Sequence, residues 1–333
     1  MTLSESKLRL GILSLVVSAV LVAVKFYAYM LTASQAVLTD ALESIINVFT
    51  SGFALYSLYL SGLPKDENHP YGHGKVEYLS VGFEGALILI AGVYIFYSAT
   101  LAFLESHAVA RPDLGMALLG ITALANLAVG FLLIKSGRKL KSVALVGDGQ
   151  HLYLDAVSTI VSCVALLLVA ATGNVLFDAG AALLLGGFIV VNGLRMVRRS
   201  VGGLMDESDV VIVREVIGEL QQFRRPAWID VHNLRVLRYG ANLHIDCHMT
   251  MPYYFSLDEI HNELNDIEAL IRQRFDVDVE MFVHADPCNA TACAHCHMSE
   301  CPVRQHPFSQ EIGWTLTNAV KNERHQLVVE QAQ

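Results

Sequence analysis

Polar side chains recur at helical spacing inside two long apolar segments, and their residue types suit metal chemistry. The intervals i, i+3 and i+7 place each set on one helix face: Asp40, Glu43 and Asn47 in the first segment, and Asp148, His151 and Asp155 in the second. Carboxylates together with an imidazole are ligands that Zn²⁺ and other late first-row divalent ions accept. We therefore predict a metal site shared by two helices, with hydrogen bonding between the helices as the simpler alternative.

The composition indicates what kind of chain carries these residues. The 333 residues are 53% hydrophobic and only 17% charged, whereas a soluble domain averages about 25% charged residues. Residues 1–205 hold 13 basic and 12 acidic residues, and residues 206–333 hold 10 basic and 20 acidic ones, which gives the net charge of -9. These values exclude a disordered or collagen-like chain and argue against nucleic-acid binding. They indicate a membrane domain followed by an acidic soluble domain.

Six segments are apolar enough to cross a bilayer, since about 20 apolar residues span the hydrocarbon layer as a helix. The predicted spans are approximately 8–31, 36–60, 79–104, 114–134, 144–171 and 175–197. Basic residues concentrate in alternate loops, as is typical of cytoplasmic loops: Lys7, Arg9, Lys65, Lys75, Lys135, Arg138, Lys139, Lys141, Arg195, Arg198 and Arg199. We therefore expect both termini in the cytoplasm. The predicted fold class is an all-α membrane bundle of six transmembrane helices followed by a small cytoplasmic α+β domain.

The soluble part alternates helical and strand periods. Residues 206–287 are predicted to form an α+β domain with helices on one face of a sheet. Its elements are a helix at 210–223, strands at 231–237 and 242–249 joined by a tight turn, a helix at 257–275 and a strand at 277–283. Residues 288–306 are rich in Cys and His, and residues 307–333 form a polar tail that is expected to fray after Lys321.

Four cysteines crowd the segment after the last strand: Cys288, Cys293, Cys296 and Cys301, with His306 close by. A reducing cytosol disfavours structural disulfides, and thiolates are favoured ligands of Zn²⁺. We predict a zinc site in which His306 can replace one thiol. A redox-sensitive or disordered tail is the alternative. Cys163 and Cys247 are interpreted as packing residues.

The loop between the second and third predicted spans reads Asp66-Glu67-Asn68-His69-Pro70-Tyr71-Gly72-His73-Gly74-Lys75. Together with the two polar helix faces, this loop resembles the cation diffusion facilitators, over roughly residues 8–288. The resemblance implies a homodimeric exporter that trades a divalent metal ion for protons at one tetrahedral site in each protomer. The ligands it implies are Glu43, Asn47, His151 and Asp155, with Asp40 and Asp148 one turn away as supporting or proton-path groups.

This sequence departs from the better-known members of that family at two of the four implied ligands. Those members have His or Asp at the position of Glu43, and Asp at the position of Asn47. An amide in place of a carboxylate removes one negative charge, so Glu43 and Asp155 are left to neutralise the ion. The departure leaves the choice of metal open.

The resemblance implies two further metal sites. Asp66, His69 and His73 match a metal-binding position in the loop, although a tight turn would explain the same residues. The cytoplasmic domain is expected to bind regulatory ions through His232, His248, His261, His284 and Asp286, with His244 as a lower-ranked candidate. His232 and His248 fall on the two strands of the predicted hairpin and can face one another.

The predicted function is divalent metal efflux, as a zinc/proton antiporter in the inner (cell) membrane of a bacterium. Zn²⁺ is the first choice by ligand type, with Co²⁺, Ni²⁺, Fe²⁺, Mn²⁺ and Cd²⁺ as alternatives. The expected partners are a second copy of the chain, the lipid bilayer, the metal ion and protons, and no nucleic acid. A non-transporting metal sensor or membrane scaffold is the alternative function. An enzyme is not expected, since neither His-Glu-x-x-His nor Gly-x-Ser-x-Gly occurs in the sequence.

Overall fold

Long helices form the first part of the chain, and a small mixed sheet with helices forms the second. The computed structural model describes residues 3–32, 35–104, 113–173, 176–240, 242–275 and 277–325. The chain divides after Met205 into two units, 1–205 and 206–333. The first unit consists of α1 (Leu3–Thr32), α2 (Gln35–Ser61), α3 (Val76–Leu104), α4 (Asp113–Lys139), α5 (Val143–Thr172) and α6 (Leu176–Leu204).

The helices of the first unit follow the predicted spans closely, with α1, α4 and α6 several residues longer than expected. Within the residues that the structure describes, three segments are long and apolar enough to cross a membrane by length and composition: Glu5–Tyr27, Val76–Tyr94 and Ala117–Lys139. They lie in α1, α3 and α4. The helices α2 and α5 carry the two polar sets, which lower the hydropathy of any helix that contains them. Six membrane spans therefore remain a prediction.

Glycines let α4 and α5 pack with their backbones in contact. A Cβ atom added to Gly130 would lie 2.9 Å from the carbonyl oxygen of Gly149, and one added to Gly149 would lie 2.8 Å from that of Gly130. Small residues permit such close helix pairs in apolar surroundings. The close approach brings Asn126 on α4 next to Asp155 on α5.

A buried ion pair links the ends of several helices. The Nζ atom of Lys7 on α1 lies 3.0 Å from Oε1 of Glu77 at the start of α3. The hydroxyls of Ser61 and Ser142 donate to the same carboxylate over 3.1 and 2.7 Å. A fully buried carboxylate requires such partners, because removing it from water is costly. Glu77 therefore joins α1, α2 and α3 to the residue that precedes α5.

The second unit is built on a three-stranded sheet. Its elements are α7 (Val210–Gln222), β1 (Asp230–Tyr239), β2 (Asn242–Met251), α8 (Leu257–Arg274), β3 (Val279–Pro287), a 3₁₀ turn (Ala290–His295) and α9 (Leu316–Ala319). The strand order is β1-β2-β3, with β1 antiparallel and β3 parallel to β2. A parallel neighbour requires a crossover, and α8 provides it.

Local sequence signals explain where the helices of the second unit begin. The side chain of Asp209 accepts hydrogen bonds from the backbone N–H groups of Val211 and Ile212 and so caps α7. At α8, Ser256 and Glu259 form a capping box, in which each side chain accepts from the other residue's backbone N–H. These bonds satisfy donors that a helix start leaves without partners. Apolar faces of α7 and α8 then pack against the sheet around buried Ile245.

The end of the described chain packs against β1. A bulge between His232 and Arg235 interrupts the pairing of β1 with β2, and the freed N–H of Asn233 donates to the carbonyl oxygen of Lys321 over 2.7 Å. Farther along, Arg324 and His325 form ion pairs with Asp286 and Asp230. The prediction that the chain frays after Lys321 is therefore wrong up to His325. Charged partners on the sheet hold these residues.

Candidate metal sites

The two polar helix faces meet between α2 and α5. The Nε2 atom of His151 lies 2.6 Å from Oδ1 of Asn47, a hydrogen-bond distance across the two helices. Asn47 is buried, His151 is largely buried, and Asp155 lies one turn farther along α5. Asp40 and Glu43 lie in the first half of α2, and their side chains are outside the described residues. Asn47 and His151 thus meet as the metal-site prediction requires.

Asp155 is held by groups from two other helices. The amide of Asn126 on α4 donates to its Oδ2 atom, and Nζ of Lys25 on α1 lies 3.6 Å from the same oxygen. The ammonium of Lys25 also donates to the hydroxyl of Ser44 over 2.6 Å. Lys25 and Asp155 are both buried. An ammonium and an amide therefore share the oxygen that a metal ion would use.

Asp148 lies one turn before His151 and has different partners. Its Oδ1 atom accepts a hydrogen bond from Ser51 on α2 over 2.7 Å, and Ser51 contacts Ser14 and Ser18 on α1. Its Oδ2 atom is buried without a hydrogen bond to any described residue. A serine-lined position beside the ligands suits a supporting or proton-carrying group better than a metal ligand.

Glu84 on α3 adds a second buried carboxylate near Asp148. Its side chain is fully buried, and neither oxygen forms a hydrogen bond within the described part of the chain. A Cβ atom on Gly147 would lie 2.9 Å from Oε2 of Glu84, so the glycine leaves room for this carboxylate. A buried acidic group in a membrane domain is costly and usually marks a pathway.

The loop between α2 and α3 brings its three predicted ligands together. One ligand atom from each of Asp66, His69 and His73 lies within 4.8 Å of the others. Nδ1 of His69 is 3.0 Å from Asp66 Oδ1, and Nε2 of His73 is 3.4 Å from Oδ2. Desolvation raises the pKa of Asp66, but the N–H and ring of His69 outweigh this and hold it below its ordinary value. The loop can present a carboxylate and two imidazoles to an ion.

The sheet of the second unit brings together three of its five predicted ligands. His232, His248 and Asp286 offer ligand atoms within 4.8 Å of one another. The strand register pairs His232 with His248 and His248 with His284, so the three rings lie side by side. The side chain of His284 is mostly exposed. Nε2 of His284 is 3.7 Å from Asp286 Oδ1. His261 is exposed on α8 and does not belong to this group.

The lower-ranked candidate His244 lies elsewhere on β2. Its Nε2 and Nδ1 atoms are 3.0 Å and 3.7 Å from the carboxylates of Asp246 and Glu280. Its partner in β1 is Leu237, whereas the metal-binding group is formed around the pair of His232 with His248. His244 therefore stands apart from that group.

Asp286 is shared between the histidines and the end of the chain. Its Oδ2 atom lies 3.0 Å from Nδ1 of His248 and 3.3 Å from Nε2 of His232. Its Oδ1 atom lies 2.9 Å from Nη2 of Arg324. Partial burial raises the pKa of Asp286, but hydrogen bonds from His248 and Arg324 hold it below its ordinary value. The carboxylate is ionised and ready to ligate, but one oxygen is already paired with a guanidinium.

The four cysteines of the last segment are neighbours, but they are less closely gathered than the two groups above. Cys288 packs against the cluster formed by Ile229, Ala292 and buried Cys296. Burial and the nearby thiols of Cys301 and Cys293 raise the pKa of the Cys288 thiol. Their sulfur atoms do not form a group within 4.8 Å of one another, a distance that, among the described residues, only the loop and sheet groups reach. His306 is exposed, and its carbonyl oxygen accepts from Arg304.

The sequence analysis missed several residues that the structure places around the transport-site prediction. Lys25 and Glu84 are charged residues inside apolar segments, and the rule that singled out the two polar sets applies equally to them. Asn126 and Ser44 are uncharged, and nothing in their sequence context distinguishes them from ordinary helix contacts. Only the packing of the helices shows that Asn126 contacts Asp155 and that Ser44 contacts Lys25.

Comparisons with known proteins give two family matches that follow one another along the chain. Residues 11–205 match the family model described as cation efflux transmembrane domain, and residues 206–288 match the one described as cation efflux protein, cytoplasmic domain. The chain is 31% identical over 264 residues to an uncharacterized transporter of Synechocystis, covering 79% of this chain and 85% of that protein. It is 26% identical over 290 residues to the manganese efflux system protein MneP of Bacillus subtilis, covering 84% and 95%. It is also 26% identical over 275 residues to the cation-efflux pump FieF of Yersinia pestis, covering 82% and 90%.

Proposed function

This chain belongs to the cation efflux family, the cation diffusion facilitators, and on that premise we propose that it is a zinc/proton antiporter. Members of this family are transporters and not enzymes, and the chain is an integral membrane protein that carries a cytoplasmic domain and transports divalent metal cations. The proposal adds the metal, the counter-ion and the residues. Zn²⁺ binds to Glu43, Asn47, His151 and Asp155, with both termini in the cytoplasm of a bacterial cell.

The contact between Asn47 and His151 carries the proposal. The two side chains come from different helices and meet at 2.6 Å, with Asp155 one turn along α5. Glu43 precedes Asn47 by one turn on α2, so it belongs to the same helix face. Two residues from each of two helices give the four ligands that Zn²⁺ takes in a tetrahedral site.

Exchange with protons follows from the imidazole. His151 must be neutral to ligate a metal ion, and the ordinary pKa of an imidazole is about 6.5. Protons and Zn²⁺ therefore compete for one nitrogen within the working pH range of a cell. Acid on the far side of the membrane favours release of the ion, and a higher pH on the cytoplasmic side favours its binding.

The donor atoms favour zinc over manganese. An imidazole suits Zn²⁺, Co²⁺ and Ni²⁺, whereas Mn²⁺ prefers carboxylate, carbonyl and water oxygens. The relative MneP is named for manganese, so the choice requires a direct comparison. The amide of Asn47 would ligate through its neutral oxygen, which leaves Glu43 and Asp155 to offset the two positive charges of the ion.

The cytoplasmic group supports a regulatory site and a homodimer. His232, His248 and Asp286 gather at the edge of the domain with His284 beside them, and the matching family model covers 206–288. An ion at this group adds positive charge to a domain whose residues 206–333 hold 10 basic and 20 acidic residues. We propose that two such domains pack more closely when metal binds.

Transport into inverted membrane vesicles tests the central proposal. The vesicles contain a zinc-sensitive dye, and the lumen is made more acidic than the outside. We expect zinc uptake that rises with the imposed proton gradient and disappears when the gradient is collapsed. The same experiment with Mn²⁺, Fe²⁺, Co²⁺, Ni²⁺ and Cd²⁺ ranks the metals, and zinc is expected to be transported fastest.

Two variants identify the residues involved. Asp155→Ala removes one of two acidic ligands and is expected to abolish uptake. If His151→Ala transports with the pH dependence of the parent, then proton exchange does not occur at this imidazole. If the folded protein binds zinc but the vesicles take up none, with or without a proton gradient, the result would support a metal sensor instead of an antiporter.

A further inference from the structure

The segment from Cys288 to His306, here called the cysteine loop, lies outside the proposed transport and regulatory sites. The match to the cytoplasmic family domain ends at residue 288, so nearly all of the loop follows the matched region. It contains four of the six cysteines of the chain. Its only regular element is one 3₁₀ turn, Ala290–His295. A segment with so little secondary structure and so small a core needs a further stabilising interaction, such as a disulfide or a bound metal ion.

Backbone hydrogen bonds fix both ends of the cysteine loop to the domain. The N–H of Cys288 donates to the carbonyl oxygen of Met251, at the end of β2, over 2.9 Å. After the loop, the N–H groups of Ser309 and Gln310 both donate to the carbonyl oxygen of Ala294, over 2.7 and 3.3 Å. The four cysteines therefore belong to a closed structure, in which residues before and after the loop are anchored.

One arginine organises the interior of the loop. The guanidinium of Arg304 donates to the carbonyl oxygens of Cys293, Cys296 and Met298 over 2.9, 2.9 and 2.7 Å, and to that of His306 over 3.3 Å. Four carbonyl groups that converge on one cation hold the surrounding backbone in a tight turn. They also hold a fixed positive charge near the thiol of Cys296.

The four cysteines are close in the sequence, and two of them share a small core. They lie within fourteen residues of one another. Cys288 packs against the cluster that Ile229, Ala292 and buried Cys296 form. Thiolates, and not thiols, ligate metal ions, so a divalent cation bound here would displace the protons of the thiols.

We propose that Cys288, Cys293, Cys296 and Cys301 bind one structural Zn²⁺ ion that holds the cysteine loop closed. Four thiolates are a donor set typical of structural zinc, and the interval Cys-x-x-Cys at 293 and 296 is a common zinc spacing. Zn–S bonds are about 2.3 Å long, so side-chain rotation must bring the four sulfur atoms closer together when the ion binds. The four thiols lose their protons on ligation, and Arg304 offsets part of the resulting negative charge.

Cobalt substitution of the full-length purified chain tests this inference. Co²⁺ bound to thiolates gives a charge-transfer absorption that sites made only of nitrogen and oxygen ligands lack. We expect this absorption to saturate at one Co²⁺ per protomer and to be bleached by added Zn²⁺. The double variant Cys293→Ser, Cys296→Ser is expected to lose the absorption and to contain about one zinc ion fewer per protomer than the parent.

Cys163→Ser is the matched control, because it changes a cysteine of α5 outside the loop and is expected to leave both measurements unchanged. A parent without thiolate absorption, or a double serine variant with the full absorption, would overturn the inference. The cobalt spectrum is recorded on purified protein and does not depend on transport. A failure of vesicles to take up zinc would therefore contradict the proposed antiport but not the zinc site in the cysteine loop.

A second measurement needs no variant and so avoids any loss of folding. The native chain is alkylated with and without zinc, and the modified cysteines are identified by peptide mass. Zinc is expected to slow modification of all four loop cysteines at least ten-fold, and a strong chelator is expected to restore it. Equal modification rates with and without zinc would contradict a metal site at these residues.

Discussion

Lys25 on α1 lies 3.6 Å from Asp155 on α5, and both side chains are buried. The ammonium pairs with one of the carboxylates proposed to hold the transported ion. A buried carboxylate without a positive partner is unfavourable, and the lysine provides that partner when no metal is bound. The same charge opposes a divalent ion. Lys25 is therefore placed to pair with Asp155 and to limit how tightly the metal binds.

Replacing Lys25 with methionine is expected to tighten zinc binding at least ten-fold and to slow transport. Two unit charges 4 Å apart interact by about 4 kcal/mol at an effective dielectric constant of about 20, so even a fraction of this repulsion gives that change. Zinc affinity is measured by competition with a chelating dye in detergent, and transport is measured in vesicles. Lys7→Met is the control, because Lys7 is also buried but pairs with Glu77. Weaker zinc binding in Lys25→Met would mean that the lysine mainly organises the site.

Asn47→Asp places a carboxylate in the pair formed by Asn47 and His151. A negative charge 2.6 Å from the imidazole is expected to tighten divalent-ion binding about ten-fold and to shift the preference toward ions that favour oxygen ligands, such as Mn²⁺. Affinities for Zn²⁺ and Mn²⁺ are measured side by side. Asn192→Asp adds the same charge on α6 and serves as the control. If both affinities stay the same, Asn47 is not a ligand.

Glu84 is expected to matter for transport but not for zinc affinity. Its buried carboxylate lies near Asp148, which is not one of the four proposed ligands. Glu84→Gln keeps the shape and removes the charge, so we expect transport to fall at least ten-fold with zinc affinity changed less than two-fold. Gly147→Ala should have a similar effect, because its Cβ would lie 2.9 Å from Oε2 of Glu84. Gly120→Ala, where a Cβ meets no atom within 4 Å, is the control. Unchanged transport in Glu84→Gln would exclude a role in the pathway.

Arg324→Ala is expected to strengthen metal binding at the sheet group of His232, His248 and Asp286. Arg324 lies 2.9 Å from Asp286 Oδ1 and so competes with an ion for the carboxylate. Its removal should lower the zinc dissociation constant several-fold, as measured by titration calorimetry on full-length protein that also carries Asp155→Ala. Arg272→Ala, which breaks an ion pair with Glu268 on α8, is the comparison variant. Equal dissociation constants in both variants would show that the guanidinium does not compete.

Zinc is expected to bring the cytoplasmic domains of a dimer closer together. Residues 206–333 hold 10 basic and 20 acidic residues, and two such domains repel one another over about 8 Å at physiological salt. Each bound ion offsets two negative charges. Distances between spin labels on the two domains are measured across a zinc titration. The shortening should disappear in His232→Ala with His284→Ala, and distances independent of zinc would leave the sheet group without a regulatory role.

The sequence determined the elements and the residue types of the sites, because both depend on local patterns. Helical spacing placed Asn47 and His151 on helix faces, and strand alternation placed His232 opposite His248 before any contact was known. The capping residues Asp209 and Ser256 signal helix starts in the same local way. The residue type determines whether a side chain can ligate a metal ion, so a pattern of carboxylates and imidazoles predicts a metal site without a three-dimensional structure.

The tertiary structure decided which groups surround those ligands. Lys25, Asn126 and Asp155 lie on three different helices, and only their packing places an ammonium and an amide at one carboxylate oxygen. Arg324 is 38 residues from Asp286 in the sequence, and its ion pair depends on how the end of the chain returns to the sheet. The electrostatic energy between two charges depends on their distance in space and not on their separation along the chain. For this reason the sequence predicts the ligands, but only the fold shows which charges compete with the metal.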